Sequence, residues 1–390
     1  MLRSESRILT THTGSLPRPD ELREYYVARQ TGKAGSEDEL KRLSDDAVRA
    51  VIGRQVEAGI DIGNDGEQAR EGFFIYLLRR LSGFGGGWDR PLWKDMEEYP
   101  RFRAQRDAER RHRSAVTARD LVPEAIGEVR YLSPEPIRQD CANFADMLRQ
   151  TGNPFIKPFM TAPSPGLLSK AMRNRHYDTE RAYLAALAEA LRVEYETIVA
   201  SGFLLQVDCP DLALERHAAY KDQPLSAFLG FVEAAVEVLN AALVNIPREK
   251  VRIHVCWGNY EGPHDHDVEL KAILPLLLKA DVGGYVLPFA NGRHGQDFKA
   301  FAQFPLADDQ VLVAGVIDTL VNVVEHPEVI ADRIVRVASV IGDPTRVMAG
   351  TDCGFDTAAG SGRVADDVVW AKLRSMRQGA DIASRQLFAS

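Results

Sequence analysis

Short apolar runs alternate with long amphipathic stretches along most of this chain. The runs are continuously apolar, as in FLLQV and VLVAGV, which is typical of strands that are covered on both faces. Because helical stretches separate these runs, the connections are crossovers and the sheet should be parallel. We predict eight strands: Ile8–Gly14, Gly59–Asn64, Phe155–Met160, Phe203–Val207, Val251–Cys256, Gly284–Leu287, Val311–Ile317 and Arg346–Ala349.

The intervening stretches have the period of helices. Ser36 and Glu39 have the spacing of a capping box, which predicts a helix that continues to about Ala58. Eight strand–helix units predict an α/β fold, a (β/α)8 TIM barrel with insertions, as a single domain over residues 1–390. The other helices that we predict are Thr179–Ser201, Leu225–Leu243, Val268–Leu278 and Pro327–Ile341.

The chain has more residues than a (β/α)8 barrel needs, and most of the additional residues lie at about 73–125. This stretch contains GFGGGWDRP and the charged run ERRHRSAVTARD, and we interpret it as a loop with a helical insertion. It is either a lid over the barrel or an ordinary solvated helical face. The run Gly127–Leu132 is predicted as an added strand outside the main set.

Composition narrows the class of protein. With 45% hydrophobic and 27% charged residues, the 390-residue chain is globular rather than disordered. A formal net charge of −8 argues against a nucleic-acid partner. Four widely spaced cysteines do not indicate a disulfide scaffold. We find no signal peptide and no apolar run of about 20 residues, so we expect a cytoplasmic protein with no membrane partner.

A metal site is indicated at the end of the fifth predicted strand. His254 and Cys256 are two residues apart, so both side chains point to the same face of the strand. Imidazole and thiolate are preferred zinc ligands. The alternative is a buried histidine beside a buried free cysteine, both of which are common in protein cores.

Other polar residues follow predicted strands at the same end of the barrel, where barrel enzymes carry their catalytic groups. Cys353 lies in GTDCGF after the last strand, and Asp208 ends the fourth. Ser15 and Glu67 follow the first and second strands. The structural alternatives are a buried small residue for Cys353, a helix cap for Asp208 and ordinary turns for the other two.

The motifs TGSLPRP, DGE, VDCPDL, HVC, GVID and GTDCGF occur in this order. Together they resemble the catalytic barrel of cobalamin-independent methionine synthase and its relatives, the epoxyalkane:coenzyme M transferases. The resemblance implies that His254, Cys256 and Cys353 are zinc ligands and that Asp208 is catalytic. It also implies that Ser15, Glu67 and Asp208 bind the amino-acid thiol. Asp318 and Glu325 match an element of less defined role.

The chain departs from the family pattern at specific places. Pro288 stands where the resemblance predicts a glutamate as the fourth zinc ligand, and Leu320 lies near the place of a histidine proposed to move protons. The preceding, duplicated barrel of the full-length synthase is not expected, because the chain starts at the catalytic half. His264, His266 and His294 are on loops, where each could complete the zinc site or act as an acid or base, or be a surface residue.

The resemblance implies a zinc-dependent thiol alkyltransferase. We expect a methyl group to pass from a folate or another donor to a zinc-activated thiol such as homocysteine, with zinc as cofactor. The alternatives are an epoxide–thiol transferase or lyase of the coenzyme M type, and a non-catalytic barrel that binds a small carboxylate. The expected partners are a small-molecule thiol and a methyl donor, and a homo-oligomer is left open.

Overall fold

The core of the protein is a parallel sheet of six strands, which neighbour one another in chain order from Phe159–Pro163 to Val347–Thr351. The computed structural model describes residues 1–33, 35–111, 114–116 and 122–388. The strands are β1 (Phe84–Gly85), β2 (Glu124–Ala125), β3 (Phe159–Pro163), β4 (Leu204–Asp208), β5 (Val251–His254), β6 (Gly284–Pro288), β7 (Val311–Ile317) and β8 (Val347–Thr351).

Two further segments join the edges of this sheet into a ring. Thr10 bridges Ala349 of β8, and Thr11 bridges Ile62, both in parallel. The Phe159 N–H then donates to the Gly63 carbonyl over 3.0 Å, which links this segment to β3. Eight parallel segments therefore surround one axis, which is the arrangement of a TIM barrel. The predicted fold class is confirmed.

The first two predicted strands are shorter than expected. Within Ile8–Gly14 and Gly59–Asn64, only Thr10, Thr11 and Ile62 form bridges. The physical reason is that side chains replace backbone partners: the Thr10 N–H donates to Asp61 Oδ2 over 2.9 Å rather than to a strand carbonyl.

Helices cover the outside of the barrel, and their caps follow the sequence. The Glu39 N–H donates to Ser36 Oγ over 3.2 Å, as the predicted capping box requires. The α-helices are α1 (Asp20–Gln30), α2 (Glu37–Glu57), α3 (Lys94–Glu98), α4 (Pro100–Arg111), α5 (Glu135–Gln150), α6 (Pro165–Ala171), α7 (Glu180–Ala200), α8 (Asp211–Leu214), α9 (Leu225–Leu243), α10 (Leu270–Leu277), α11 (Pro327–Ile341) and α12 (Asp366–Leu387).

The predicted strand Gly127–Leu132 is wrong. Tyr131 alone forms an antiparallel bridge, to Leu81, and the Leu132 side chain is exposed. Backbone pairing is limited to this one bridge, where the Ser82 N–H donates to the Arg130 carbonyl over 2.9 Å and the Leu132 N–H donates to the Arg80 carbonyl over 2.8 Å, so the pairing is too short to form a strand. The small antiparallel pair beside the barrel is instead β1 with β2.

The insertion at 73–125 contains the short helices α3 and α4 and the pair β1–β2. Residues 112–113 and 117–121 of this stretch lie outside the described residues. Phe73, Trp93 and Arg106 line a cavity at the carboxyl end of the barrel, so the insertion forms part of its wall. That it moves as a lid stays a prediction.

One helix in the described ranges, α9, is long and apolar enough to cross a membrane by length and composition. The expectation of no such run was therefore too strong. Phe228, Val232 and Leu239 of α9 are buried, and the helix packs against α7 and α10, as an outer helix of a barrel does.

Candidate metal centre and substrate cavity

His254, Cys256 and Cys353 converge at the carboxyl end of the barrel. One ring nitrogen of His254 and the two Sγ atoms lie within 4.8 Å of one another, and all three residues are buried. His254 is the last residue of β5, and Cys353 follows β8 by two residues. One imidazole and two thiolates are a donor set that suits zinc and leaves one tetrahedral position open.

Asp208 fixes the orientation of the His254 ring. The two residues are register partners on β4 and β5, and Asp208 Oδ1 lies 3.2 Å from His254 Nδ1. A carboxylate accepts here, so Nδ1 carries a proton and Nε2 is the nitrogen that a metal would bind. Although burial lowers the pKa of His254, Cys256 and Asp208 together raise it to about 10, so without metal Nε2 is protonated as well and faces the Asp352 carbonyl at 3.3 Å. A metal would displace this Nε2 proton.

The two thiols interact with each other. The neighbouring Cys353 thiol, with His254 alongside, holds the pKa of Cys256 well below its ordinary value. The Cys256 sulfur and burial in turn raise the pKa of Cys353. The lowered pKa of Cys256 favours its thiolate, which is the ligand form.

A cavity of about 320 Å³ opens beside this cluster. It is lined by the three candidate ligands together with Ser15, Glu67 and Asp208, so the structure brings all the sequence-predicted site residues to one place. The aromatic side chains of Trp93, Tyr260 and Phe73 form an apolar part of the cavity wall. A thiol that enters this cavity would meet the Cys256 and Cys353 sulfurs.

Glu67 offers a free acceptor to the cavity. Its Oε1 accepts from Thr161 Oγ1 over 2.9 Å, whereas its buried Oε2 has no partner among the described residues. Burial and the Asp208 carboxylate raise the pKa of Glu67 to about 7. A Cβ at Gly14 would stand 2.6 Å from Glu67 Oε1, and Gly14 has a φ of +137°, so glycine is required for this approach.

Ser15 provides hydrogen-bond donors, whereas Glu67 provides an acceptor. Within the described ranges, its N–H and hydroxyl have no protein acceptor, although its carbonyl accepts from the Phe355 N–H over 2.9 Å. A Cβ at Gly354 would stand 2.1 Å from Ser15 Oγ, which explains the glycine after Cys353. Ser15 therefore presents two donors to the cavity, as a bound carboxylate needs.

Comparison with known protein families identifies the family to which the chain belongs. Residues 116–381 match the family described as cobalamin-independent synthase, catalytic domain. The chain belongs to this family. The predicted resemblance is thus confirmed.

Relatives extend over nearly the whole chain. The methionine synthase of Sulfolobus acidocaldarius is 28% identical over 347 residues, which cover 89% of this chain and 85% of that one. The methionine synthase of Saccharolobus solfataricus is 26% identical over 381 residues, covering 97% and 95%. A B12-independent methionine synthase from Shewanella sp. W3-18-1, solved with selenomethionine, shares the fold with a TM-score of 0.71 at 20% identity, covering 98% and 100%.

Pro288 ends β6 within the synthase barrel and lines a second cavity of about 260 Å³. Cys256 and Cys353 line this cavity as well, so both cavities meet at the sulfurs. The loop after Pro288 is tied down by Asp352, whose carboxylate accepts from the N–H groups of Phe289, Ala290 and Asn291 over 2.9–3.0 Å. This loop thus brings backbone rather than a carboxylate to the centre.

Asp318 and Glu325 have different surroundings. Asp318 lines the second cavity with Leu320. Glu325 instead pairs with the buried Lys372 over 2.9 Å and accepts from the Asp318 N–H, so its carboxylate supports the loop after β7. Glu325 lines neither cavity.

The three loop histidines do not reach the synthase centre as a group. His266 is paired with Glu98 on α3, away from both cavities. His264 and His294 line the second cavity, but both turn to Asp267. Sequence reasoning missed Asp267 and His217, which complete this second group; the run HDHD around Asp267 was the available signal.

Proposed function

We propose that this member of the synthase family is a zinc-dependent S-methyltransferase with homocysteine as the acceptor. The observation that carries the proposal is the convergence of His254, Cys256 and Cys353 at a cavity that offers two carboxylates and two donors. The methionine synthase relatives support the same acceptor. A cytoplasmic location and a homo-oligomer stay predictions.

Zinc at the three ligands would supply Lewis acidity, holding a substrate thiol as the thiolate that attacks the methyl group. The chain itself binds and orients the acceptor. Glu67 and Asp208 bind its ammonium group, and Ser15 binds its carboxylate, so the thiol is directed at the sulfurs of Cys256 and Cys353.

The direct test is formation of methionine by the zinc-loaded protein from homocysteine and methyltetrahydropteroylglutamate, followed by mass spectrometry. The matched control acceptor is 4-mercaptobutyrate, which has the thiol and the carboxylate but lacks the ammonium group. We expect homocysteine to be strongly preferred. Equal methylation of both acceptors, or preference for 2-mercaptoethanesulfonate, would exclude the assigned role of Glu67 and Asp208.

The pH dependence of acceptor binding follows from Glu67. Because its pKa is about 7, Glu67 is an anion above this pH and loses its charge below it. We therefore expect the KM for homocysteine to rise as the pH falls through 7 and the ammonium loses one partner. Glu67→Gln should raise KM at high pH and remove this dependence. A wild-type KM profile that is the same for homocysteine and 4-mercaptobutyrate would contradict the assignment.

Pro288→Glu tests the missing fourth ligand. Pro288 faces the second cavity with both cysteines, so a carboxylate there should increase zinc retention during dialysis against a chelator. Zinc content and homocysteine methylation would be measured in both proteins, with Pro288→Gln as the uncharged control. If the glutamate variant folds and neither quantity differs from wild type, position 288 is not the ligand position.

A further inference from the structure

A second group of ligating side chains surrounds Asp267, apart from the three residues of the candidate zinc centre. His264 Nδ1 and His294 Nε2 each lie 2.8 Å from Asp267 Oδ2. His217 Nδ1 lies 3.0 Å from Asp267 Oδ1. The side chains of Asp267 and His217 are essentially inaccessible to solvent. Three imidazoles thus point one nitrogen each at a single buried carboxylate.

The far nitrogen of each ring also meets an acceptor. His294 Nδ1 lies 2.8 Å from Asp297 Oδ2, and His264 Nε2 lies 2.9 Å from the Tyr260 carbonyl. His217 Nε2 lies 3.2 Å from the Tyr260 hydroxyl, whose own proton is donated to Asp95. Each far nitrogen therefore carries a proton. The near nitrogen is then a lone pair in a neutral imidazole and carries a second proton in an imidazolium ion.

Hydrogen bonds alone leave this group incompletely paired. Imidazolium ions at His264 and His294 would be balanced by the Asp267 and Asp297 carboxylates, but among the described residues His217 Nδ1 and Asp267 Oδ1 have no hydrogen-bond partner despite their separation of 3.0 Å. One ring nitrogen of His264, one of His294 and a carboxylate oxygen of Asp267 lie within 4.8 Å of one another, which is close enough for all three to bind a single divalent ion.

We propose that His264, His294 and Asp267 form a second metal site, which takes a divalent transition-metal ion such as zinc. One nitrogen of each histidine and an Asp267 oxygen are the ligands. The far nitrogens of the two histidines already have the carbonyl and carboxylate acceptors that orient metal-bound histidines. His217 is not a ligand, but it lies against the second Asp267 oxygen and supports this carboxylate.

The position of this site indicates what it stabilises. His264 and Asp267 lie on the loop that follows Cys256, and His294 lies on the loop after β6. The Trp257 ring, next to Cys256 in the chain, stacks on His294 with ring centroids 4.0 Å apart. Metal in the second site would therefore fix the backbone next to one ligand of the candidate zinc centre.

The test is a zinc count on the full-length protein by plasma mass spectrometry, after expression with added zinc and gel filtration. We expect two zinc ions per chain in the wild type and one in Cys256→Ser/Cys353→Ser, which leaves the second site intact. His264→Ala/His294→Ala should also retain one. The matched control is His266→Ala, an exposed histidine of the same loop that pairs with Glu98, and it should retain two.

Cobalt substitution separates the two sites by spectrum. Co²⁺ in the first site should show a thiolate charge-transfer band in the near ultraviolet, whereas Co²⁺ in the cysteine double variant should bind without that band, since its ligands are nitrogen and oxygen. A wild type with one zinc, or a cysteine variant with none, would overturn the second site. Neither measurement depends on methyl transfer. If the protein does not methylate homocysteine, the zinc counts and the cobalt spectra still decide whether the second site exists.

Discussion

Cys353→Ala should abolish methyl transfer to homocysteine and remove zinc from the first site. Loss of a hydrogen-bond partner of a metal ligand typically costs about 10–100-fold in affinity or activity, and loss of a ligand should cost more. The remaining donors, His254 and Cys256, are too few for a stable zinc site. Zinc content and methionine formation would be measured on the same preparation.

The matched control for this variant is Cys141→Ala. Cys141 is also a buried free cysteine, but it lies on α5 outside both cavities. It should keep wild-type zinc content and activity, apart from a modest loss of stability from the smaller side chain. If Cys353→Ala retains full activity, the three-residue centre is not the site of the reaction.

Asp208→Asn should raise the KM for homocysteine by about 10–100-fold, because hydrogen bonds to charged groups contribute about 1.5–3 kcal/mol. The amide oxygen of asparagine can still accept from His254 Nδ1, so the ring orientation is retained while the charge facing the substrate ammonium is lost. We therefore expect the effect on KM to exceed the effect on zinc content. Steady-state kinetics with homocysteine and with 4-mercaptobutyrate would show it.

Asp211→Asn is the control for that substitution. Asp211 is equally buried on the same strand exit, but it accepts from Ser164 Oγ over 2.6 Å and does not line the acceptor cavity. Its replacement should leave the KM for homocysteine unchanged. If the KM of Asp208→Asn is also unchanged, the ammonium group of the acceptor does not bind to the Asp208 carboxylate.

The architecture and the three candidate ligands could be predicted from sequence because both depend on local rules. Continuous apolar runs predict buried parallel strands, and residues that follow such strands meet at one end of a barrel. His254 and Cys256 were therefore placed together by their spacing alone. Cys353 and Glu67 needed the resemblance as well, because their partners lie far away in the chain.

The prediction failed where partners come from distant loops. The spacing of Gly127–Leu132 resembles that of a strand, but the sequence does not say how far a neighbouring segment runs alongside it, and the pairing with residues 80–82 extends over a single bridge. The same holds for His264 and His294. Their loop positions suggested the zinc centre, whereas Asp267 and His217 hold them in a separate group. Only the fold reveals which carboxylate three histidines share.

The pairing of the first barrel segment with β8 has a consequence for synthesis of the protein. The Thr11 N–H donates to the Ala349 carbonyl and the Thr13 N–H donates to Thr351 Oγ1, so the first segment pairs with the last strand across most of the chain. Contacts this far apart in sequence have a high loop-closure entropy and form slowly. A chain still emerging from the ribosome cannot close the ring, nor bring Cys353 to His254, until β8 is made. Metal capture at this centre therefore waits until Cys353 has left the ribosome, and the open barrel is the state that chaperones would meet.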